Sequence, residues 1–183
     1  LGGQTVELPA HLLGSPPFAG GGVNGDSYQI TTAAQLAKLA ELVNAGSATY
    51  NASGVCYLLM NDLNLSGYAG TDSGKGWTPI GNTASPFKGS FDGNGYTITG
   101  LTINRSAVDD QGLFGGINAG STVETLGIVG ASILGRDSVG GVVGNVSGTV
   151  RNCYVTGSVS GRNNAGGVVG SVSSGVVQGC YTT

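Results

Sequence analysis

The sequence predicts an all-β solenoid, built from coils of stacked parallel strands. Two periodicities and the composition predict it. Apolar or cysteine side chains recur at offsets i, i+3 and i+5 in five sets: Met60/Leu63/Leu65, Ile98/Leu101/Ile103, Val123/Leu126/Ile128, Val150/Cys153/Val155 and Val177/Cys180 with Thr182. The sets start at Met60, Ile98, Val123, Val150 and Val177, a spacing typical of arrays whose units bury their apolar side only against neighbours. A second ladder runs at a matching spacing through Gly112-Leu113-Phe114-Gly115, Gly141-Val142-Val143-Gly144 and Gly167-Val168-Val169-Gly170. Glycine supplies 36 of 183 residues and charged residues only 9%, against about 7% and about 25% in ordinary domains.

The residues between the repeated positions support a strand reading. Offset i+1 is polar throughout: Asn61, Thr99, Glu124, Arg151 and Gln178. Offset i+2 holds Asp62, Gly100, Thr125, Asn152 and Gly179, mostly residues that suit a turn or bulge. Offsets i+3 and i+5 then alternate with i+4, the period of a strand with one buried face. A helical stripe would use i+4 and i+7 instead. Each set therefore reads as a bend feeding a strand, and the Gly-x-x-Gly ladder as a second strand of the same coil. Successive coils would stack about 4.8 Å apart, giving about four coils plus a partial fifth. An antiparallel sandwich with glycine hairpins is the alternative, but it requires no constant register.

The elements follow in order. Residues 1–25 read as a loop segment, with Pro9, Pro16, Pro17 and the run Gly20-Gly21-Gly22. Residues 26–56 read as a capping strand and helix. Tyr28-Gln29-Ile30 suits a short strand, and Thr32 with Gln35 is a capping-box pair. From Ala33 to about Asn44, Leu36, Leu39, Ala40 and Val43 share one helical face, and Gly46 is the stop. That face would cover the open end of the first coil. Residues 57–183 form the solenoid.

Composition excludes several partners. The net charge of −3 and seven Lys plus Arg residues argue against nucleic acid or an anionic membrane surface. No run approaches the roughly 18 apolar residues of a membrane span. The chain starts at Leu1 without a basic and apolar leader, as expected for a processed piece. Its fifth set ends at Thr182, immediately before Thr183, so further repeats or domains are expected C-terminal to it.

Several segments carry a family resemblance. Tyr28-Gln29-Ile30-Thr31-Thr32-Ala33-Ala34-Gln35-Leu36, Asn61-Asp62-Leu63-Asn64-Leu65, Trp77-Thr78-Pro79-Ile80-Gly81 and Phe87-Lys88-Gly89-Ser90-Phe91-Asp92-Gly93-Asn94-Gly95 resemble the capped start of secreted bacterial β-helix proteins. The Gly-Val-Val-Gly units, followed by Cys-Tyr strands, resemble GLUG-motif repeats, starting from about residue 112. The resemblance covers roughly residues 18–183. It implies a right-handed parallel β-helix with an N-terminal α-helical cap, in an extracellular or surface-exposed, adhesin-like bacterial protein. Such repeats also occur beside the protease domain of IgA-cleaving metallopeptidases. No catalytic residue, cofactor or metal site is implied for this region.

The residues agree that no catalytic set is present. The single histidine, His11, lies in the proline-rich N-terminal segment, and His-Glu-x-x-His is absent. No cluster has zinc-ligand spacing. Asp62 and Asp92 suit hydrogen bonds to turn backbone. Asp109-Asp110 is a weak calcium signal, and Glu124 with Arg151 suits an exposed cross-strand pair. Cys153 and Cys180 occupy one inward position in adjacent coils, above Leu126 and Leu101, as thiols or a disulfide; Cys56 has no register partner. The candidate ligand contacts are aromatic: Tyr154 and Tyr181 at offset i+4, stacked outward, and Tyr68 beside Trp77 in the first insertion. Aromatic faces beside Asn and Thr can hold sugars, although tyrosine ladders also stabilise strands.

The expected function is a non-enzymatic scaffold or adhesion module of a larger bacterial surface protein. Its partner would be a host or bacterial surface protein or glycan. The alternative is an accessory module of a secreted peptidase or glycan-active enzyme whose catalytic domain lies outside these residues.

Overall fold

The computed structural model describes residues 16–183; His11 and most of the expected N-terminal loop lie outside the described residues. The chain is all-β, with mostly parallel strands in stacked sheets and few helices. The first sheet runs β1 (Tyr28–Ile30), β2 (Cys56–Leu59), β4 (Ser90–Asp92), β8 (Thr122–Glu124), β12 (Thr149–Arg151) and β16 (Val176–Gln178). The second runs β3 (Leu63–Asn64), β5 (Thr97–Thr99), β9 (Gly127–Leu134), β13 (Tyr154–Ser160) and β17 (Tyr181–Thr182), with β6 (Thr102–Asn104) also on β9. A third holds β7 (Phe114–Ile117), β11 (Val143–Val146) and β15 (Val169–Val172), beside the pair β10 (Asp137–Gly140) and β14 (Asn163–Gly166). From β8 onward the chain visits the first sheet, the second, the β10/β14 pair and the third, and then returns to the first.

Parallel pairing turns the sequence rows into columns of touching side chains. Phe91, Val123 and Val150 are aligned and fully buried. So are Phe114 and Val143, from the expected Gly-x-x-Gly ladder, with Val169 of that ladder above them. Burial of this kind contributes about 25 cal/mol per Å² of apolar surface. Each inner strand of these sheets needs its parallel neighbours for it, because a strand alone leaves its side chains wet.

The expected register holds for the last three sets and fails for the first two. Val123, Val150 and Val177 align, as do Ile128, Val155 and Thr182. Ile98, however, pairs with Ile128 rather than standing under Val123, and Leu63 pairs with Ile98. The cause is a second corner with the same local geometry. Gly100, at φ +70°, turns the chain between β5 and β6, and Ile103 pairs with Ile133 one corner further on. Thus Ile98/Leu101/Ile103 is a strand–bend–strand unit like the others, displaced along the coil. Cys153 accordingly stacks on Leu126, whereas Leu101 lies level with Ala131. The true first-sheet column is Tyr57, Phe91, Val123, Val150 and Val177. Its last two steps, Val123 to Val150 and Val150 to Val177, are equal, and its first two are longer.

Corners repeat as well as strands. Thr125, Asn152 and Gly179 follow aligned residues and all have left-handed backbone, at φ +54°, +53° and +62°. Asp92 accepts from its own turn through Asn94 N, as expected. Asp62 does otherwise: its carboxylate accepts from Thr97 N at 2.7 Å, in the next coil.

At the β1 end, helix α1 (Ala33–Asn44) begins with the expected capping box between Thr32 and Gln35. It buries the four expected residues, Leu36, Leu39, Ala40 and Val43. Gly46, at φ +71°, ends it: Gly46 N donates to Val43 O and Ser47 N to Leu42 O, the paired bonds of a Schellman stop. Phe18, Tyr28, Tyr50 and Tyr57 pack together beside it with ring centroids 5.4–5.6 Å apart. Among the described residues, no helix is long and apolar enough to cross a membrane.

Candidate functional site

The structure places the three candidate tyrosines in two locations. Tyr154 and Tyr181 are aligned on β13 and β17, with ring centroids 5.3 Å apart and planes 11° apart. Both point outward, as strand alternation from the buried Val155 requires. Tyr154 also lies over Gly127, its register partner on β9. The result is an aromatic shelf whose outermost ring, Tyr181, is 57% exposed.

Tyr68 lies elsewhere, after β3, with β5 and β9 between that strand and β13. It ends a single 3-10 turn, Ser66–Tyr68, and meets Trp77 edge to face at 5.4 Å. Trp77 is buried, and its indole N–H donates to Leu113 O at 3.3 Å, which fixes the ring as a packing group. Tyr68, Trp77 and the α1 residues Ala37, Ala40, Glu41 and Asn44 line a cleft of about 470 Å³. The α1 contribution was not legible in the sequence, because it depends on how the helix lies against the first insertion.

Arginine–aspartate pairs join segments distant in sequence. Arg105 bonds Asp72 at 2.7 Å, Arg136 bonds Asp109, and Arg162 bonds Asp137 at 2.7 Å. The Arg136 hydrogen bonds hold the Asp109 carboxyl below its ordinary range, and Arg162 does the same for Asp137. Asp109 is therefore committed to a guanidinium. Asp110 goes the other way: burial pushes its carboxyl up, although Thr83 donates to it at 3.0 Å. Glu124 and Arg151 form the expected cross-strand pair, at 2.6 Å.

Beneath Asp109 and Asp110 lies a residue that sequence reasoning missed. Gln111 is buried, and its side-chain amide donates to both aspartate carbonyls, leaving its Oε1 without a donor. A polar residue after an acidic pair gives no signal of burial. Among the described residues, no group of three His, Cys, Asp or Glu could hold a metal ion. Cys56, Cys153 and Cys180 are free thiols. Cys153 is buried, and desolvation pushes its thiol up to about 12.

The chain is similar to several known proteins. Halomucin of Haloquadratum walsbyi is 37% identical over 147 residues, covering 76% of this chain and 2% of its own length. A proposed Gly-rich membrane protein of Evansella cellulosilytica is 37% identical over 145 residues, covering 77% of this chain and 16% of its own. The chain thus spans a small part of both relatives. Neither relative's name is that of an enzyme. The expected restriction to bacteria is not carried by them, because Haloquadratum walsbyi is archaeal. A solved structure of a proposed immunoglobulin A1 protease from Bacteroides ovatus is 16% identical, with a TM-score of 0.43 over 89% of this chain and 77% of that one. Residues 135–160 match the GLUG motif, and they run from the turn before β10 to the end of β13. The chain therefore carries a GLUG motif within its repeated, parallel-stranded register.

Proposed function

We propose that this chain is a stiff, non-enzymatic module of a larger cell-surface protein, serving adhesion or display. Its architecture in this reading is a right-handed parallel β-helix over residues 57–183, closed by the strand and helix of residues 26–56. The observation that carries the reading is the parallel register repeated at a constant step from Val123 through Val150 to Val177. Such a register sets outward side chains at a constant spacing of about 4.8 Å, a geometry suited to multivalent contact. The relatives named as a halomucin and a proposed membrane protein, each far longer than this chain, support the surface setting.

Contact with a surface protein or glycan falls to the outward aromatics. The Tyr154–Tyr181 shelf offers a flat apolar face, and Tyr68 offers a second on the cleft beside α1. The test of location uses an antibody raised against this chain, applied to intact source cells. Labelling of unbroken cells is expected, and labelling only after lysis would contradict the surface reading. Binding to a glycan array that disappears in Tyr181→Ala is the outcome expected of the shelf.

A further inference from the structure

Two hollows, of about 410 Å³ and about 150 Å³, meet beside β7 and β11, and none of the three candidate tyrosines lines them. Asn82, Thr83 and Asp110 line both, so the hollows form one groove that passes Asp110. The larger hollow alone has the size of a small-molecule site, about 300–1,000 Å³. Its two guanidiniums are already joined to carboxylates, Arg105 to Asp72 and Arg136 to Asp109. Asp110 is in no ion pair among the described residues; it accepts from Thr83 Oγ1 at 3.0 Å, and Asn145 lies beside it. Asn118 and Ser147 line the smaller hollow and make no side-chain hydrogen bond among the described residues. Its floor is Gly116, a buried residue of β7 whose register partner on β11 is Asn145. A Cβ added at Gly116 would find no atom nearer than 3.9 Å, and the backbone there is not left-handed. At Gly115 and Gly144 close by, a Cβ would meet backbone atoms at 2.4 Å and 2.6 Å. Neither packing nor backbone thus requires glycine at 116, and the missing side chain gives the groove its depth. Asp110 is equally poor for stability, because burial opposes its charge. Stability alone would favour an amide at 110 and a side chain at 116, and a ligand in the groove accounts for both residues.

We propose that this groove binds a neutral oligosaccharide, with a sugar ring over Gly116 and its hydroxyls on Asp110 and the neighbouring amides. Each sugar hydroxyl both donates and accepts, so it needs an acceptor beside a donor. Asp110 supplies the acceptor, and a hydroxyl bond to a carboxylate is charge-assisted. Asn145 supplies the donor: its Oδ1 already accepts from Ser173 Oγ at 2.8 Å, which leaves its N–H groups to donate. Asn118 and Ser147 offer both kinds of partner along the smaller hollow. An anion would meet the unpaired Asp110 while both guanidiniums are occupied, and a metal ion would meet a single unpaired carboxylate between two guanidiniums. A neutral ligand rich in hydroxyls suits that balance. The site is separate from the tyrosine contacts and does not depend on where the protein resides.

The whole chain applied to an array of neutral oligosaccharides, with sialylated and sulfated ones alongside, tests it. Retention of neutral members is expected, and it should persist in a metal chelator. Asp110→Asn keeps the side-chain shape and tolerates the left-handed backbone of this position, φ +55°. It should bind the retained oligosaccharides about tenfold more weakly, or worse, while melting no lower than wild type, so the loss is not unfolding. Gly116→Val has room for its Cβ and suits a strand; its methyl groups fill the floor, and binding should be abolished. Should Gly116→Val melt early, Asp110→Asn decides. No neutral oligosaccharide retained, acidic ones retained alone, binding lost on chelation, or wild-type affinity in Asp110→Asn or in a folded Gly116→Val would each overturn the proposal. Wild-type affinity in both variants, with binding lost in Tyr181→Ala, would overturn it and leave the tyrosine shelf standing, and the antibody test reads the cellular location separately.

Discussion

Tyr154 closes over Gly127 so tightly that a Cβ at position 127 would lie 2.5 Å from the tyrosine Cζ. The backbone of Gly127 needs no special conformation, so the glycine is there for the ring. Gly127→Ala should therefore swing Tyr154 outward and break its stack on Tyr181, with the rest of the fold retained. The loss should be about 0.5–1.5 kcal/mol, the worth of an aromatic pair. Near-UV circular dichroism should lose tyrosine signal while the far-UV spectrum is unchanged.

Gly157 gives the opposite expectation. Its φ is +117°, and an added Cβ would lie 2.3 Å from Ala131 O and 2.4 Å from Ala131 N. Both are backbone atoms of the neighbouring strand, at the point where the β13–β9 register shifts. Nothing there can swing away. Gly157→Ala should cost about 3 kcal/mol or more, from backbone strain and overpacking together. Denaturant unfolding measures it, and a cost near that of Gly127→Ala would contradict the packing described.

Thr125 is the misfit of its corner column. Asn152 and Gly179 tolerate left-handed backbone, whereas a β-branched residue at φ +54° does not. Thr125→Asn should stabilise the protein by about 1 kcal/mol, read as a rise in melting temperature.

Acid should separate two kinds of aspartate. Asp109 and Asp137 have carboxyls lowered by guanidinium hydrogen bonds. Their contribution is present above the unfolded carboxylate value, about 3.9, and is lost as pH falls through their folded values. Asp110 is raised by burial. Its contribution is fullest below the unfolded value and is lost as pH rises through its folded value. Asp109→Asn should thus lower the melting temperature at neutral pH, with the difference vanishing in acid. Asp110→Asn should raise it at neutral pH, and that gain should also shrink in acid. Melting curves across pH check both signs.

The thiols should differ in reactivity. Cys153 is buried with its thiol pushed up to about 12, whereas Cys56 and Cys180 are partly exposed. Native protein should label with a thiol reagent at no more than two sites, and the third should react only on unfolding.

Much of this was legible because the responsible forces are local or periodic. The Thr32–Gln35 box, the four buried α1 residues and the Gly-x-x-Gly columns are read directly from spacing. The columns of the first two coils were not. Insertions lengthen the steps from Tyr57 to Phe91 and from Phe91 to Val123, and Ile98 imitates a first-sheet residue because every corner uses the same strand–bend–strand device. The Tyr68 cleft and the buried Gln111 were hidden for another reason. Both arise where segments distant in sequence meet, and neither carries a period.

The most direct test of the stacked register is a distance along one outward row. Cys56, Ser90, Thr122, Thr149 and Val176 are consecutive partners, four strand spacings that sum to about 19 Å between the end Cα atoms. Spin labels on Cys56 and Val176→Cys, with Cys180→Ser removing the other accessible thiol, report that distance by pulsed dipolar spectroscopy. The parallel stack predicts a single narrow distribution near that value once the label arms are included. A broad distribution, or one centred beyond about 30 Å, would contradict it.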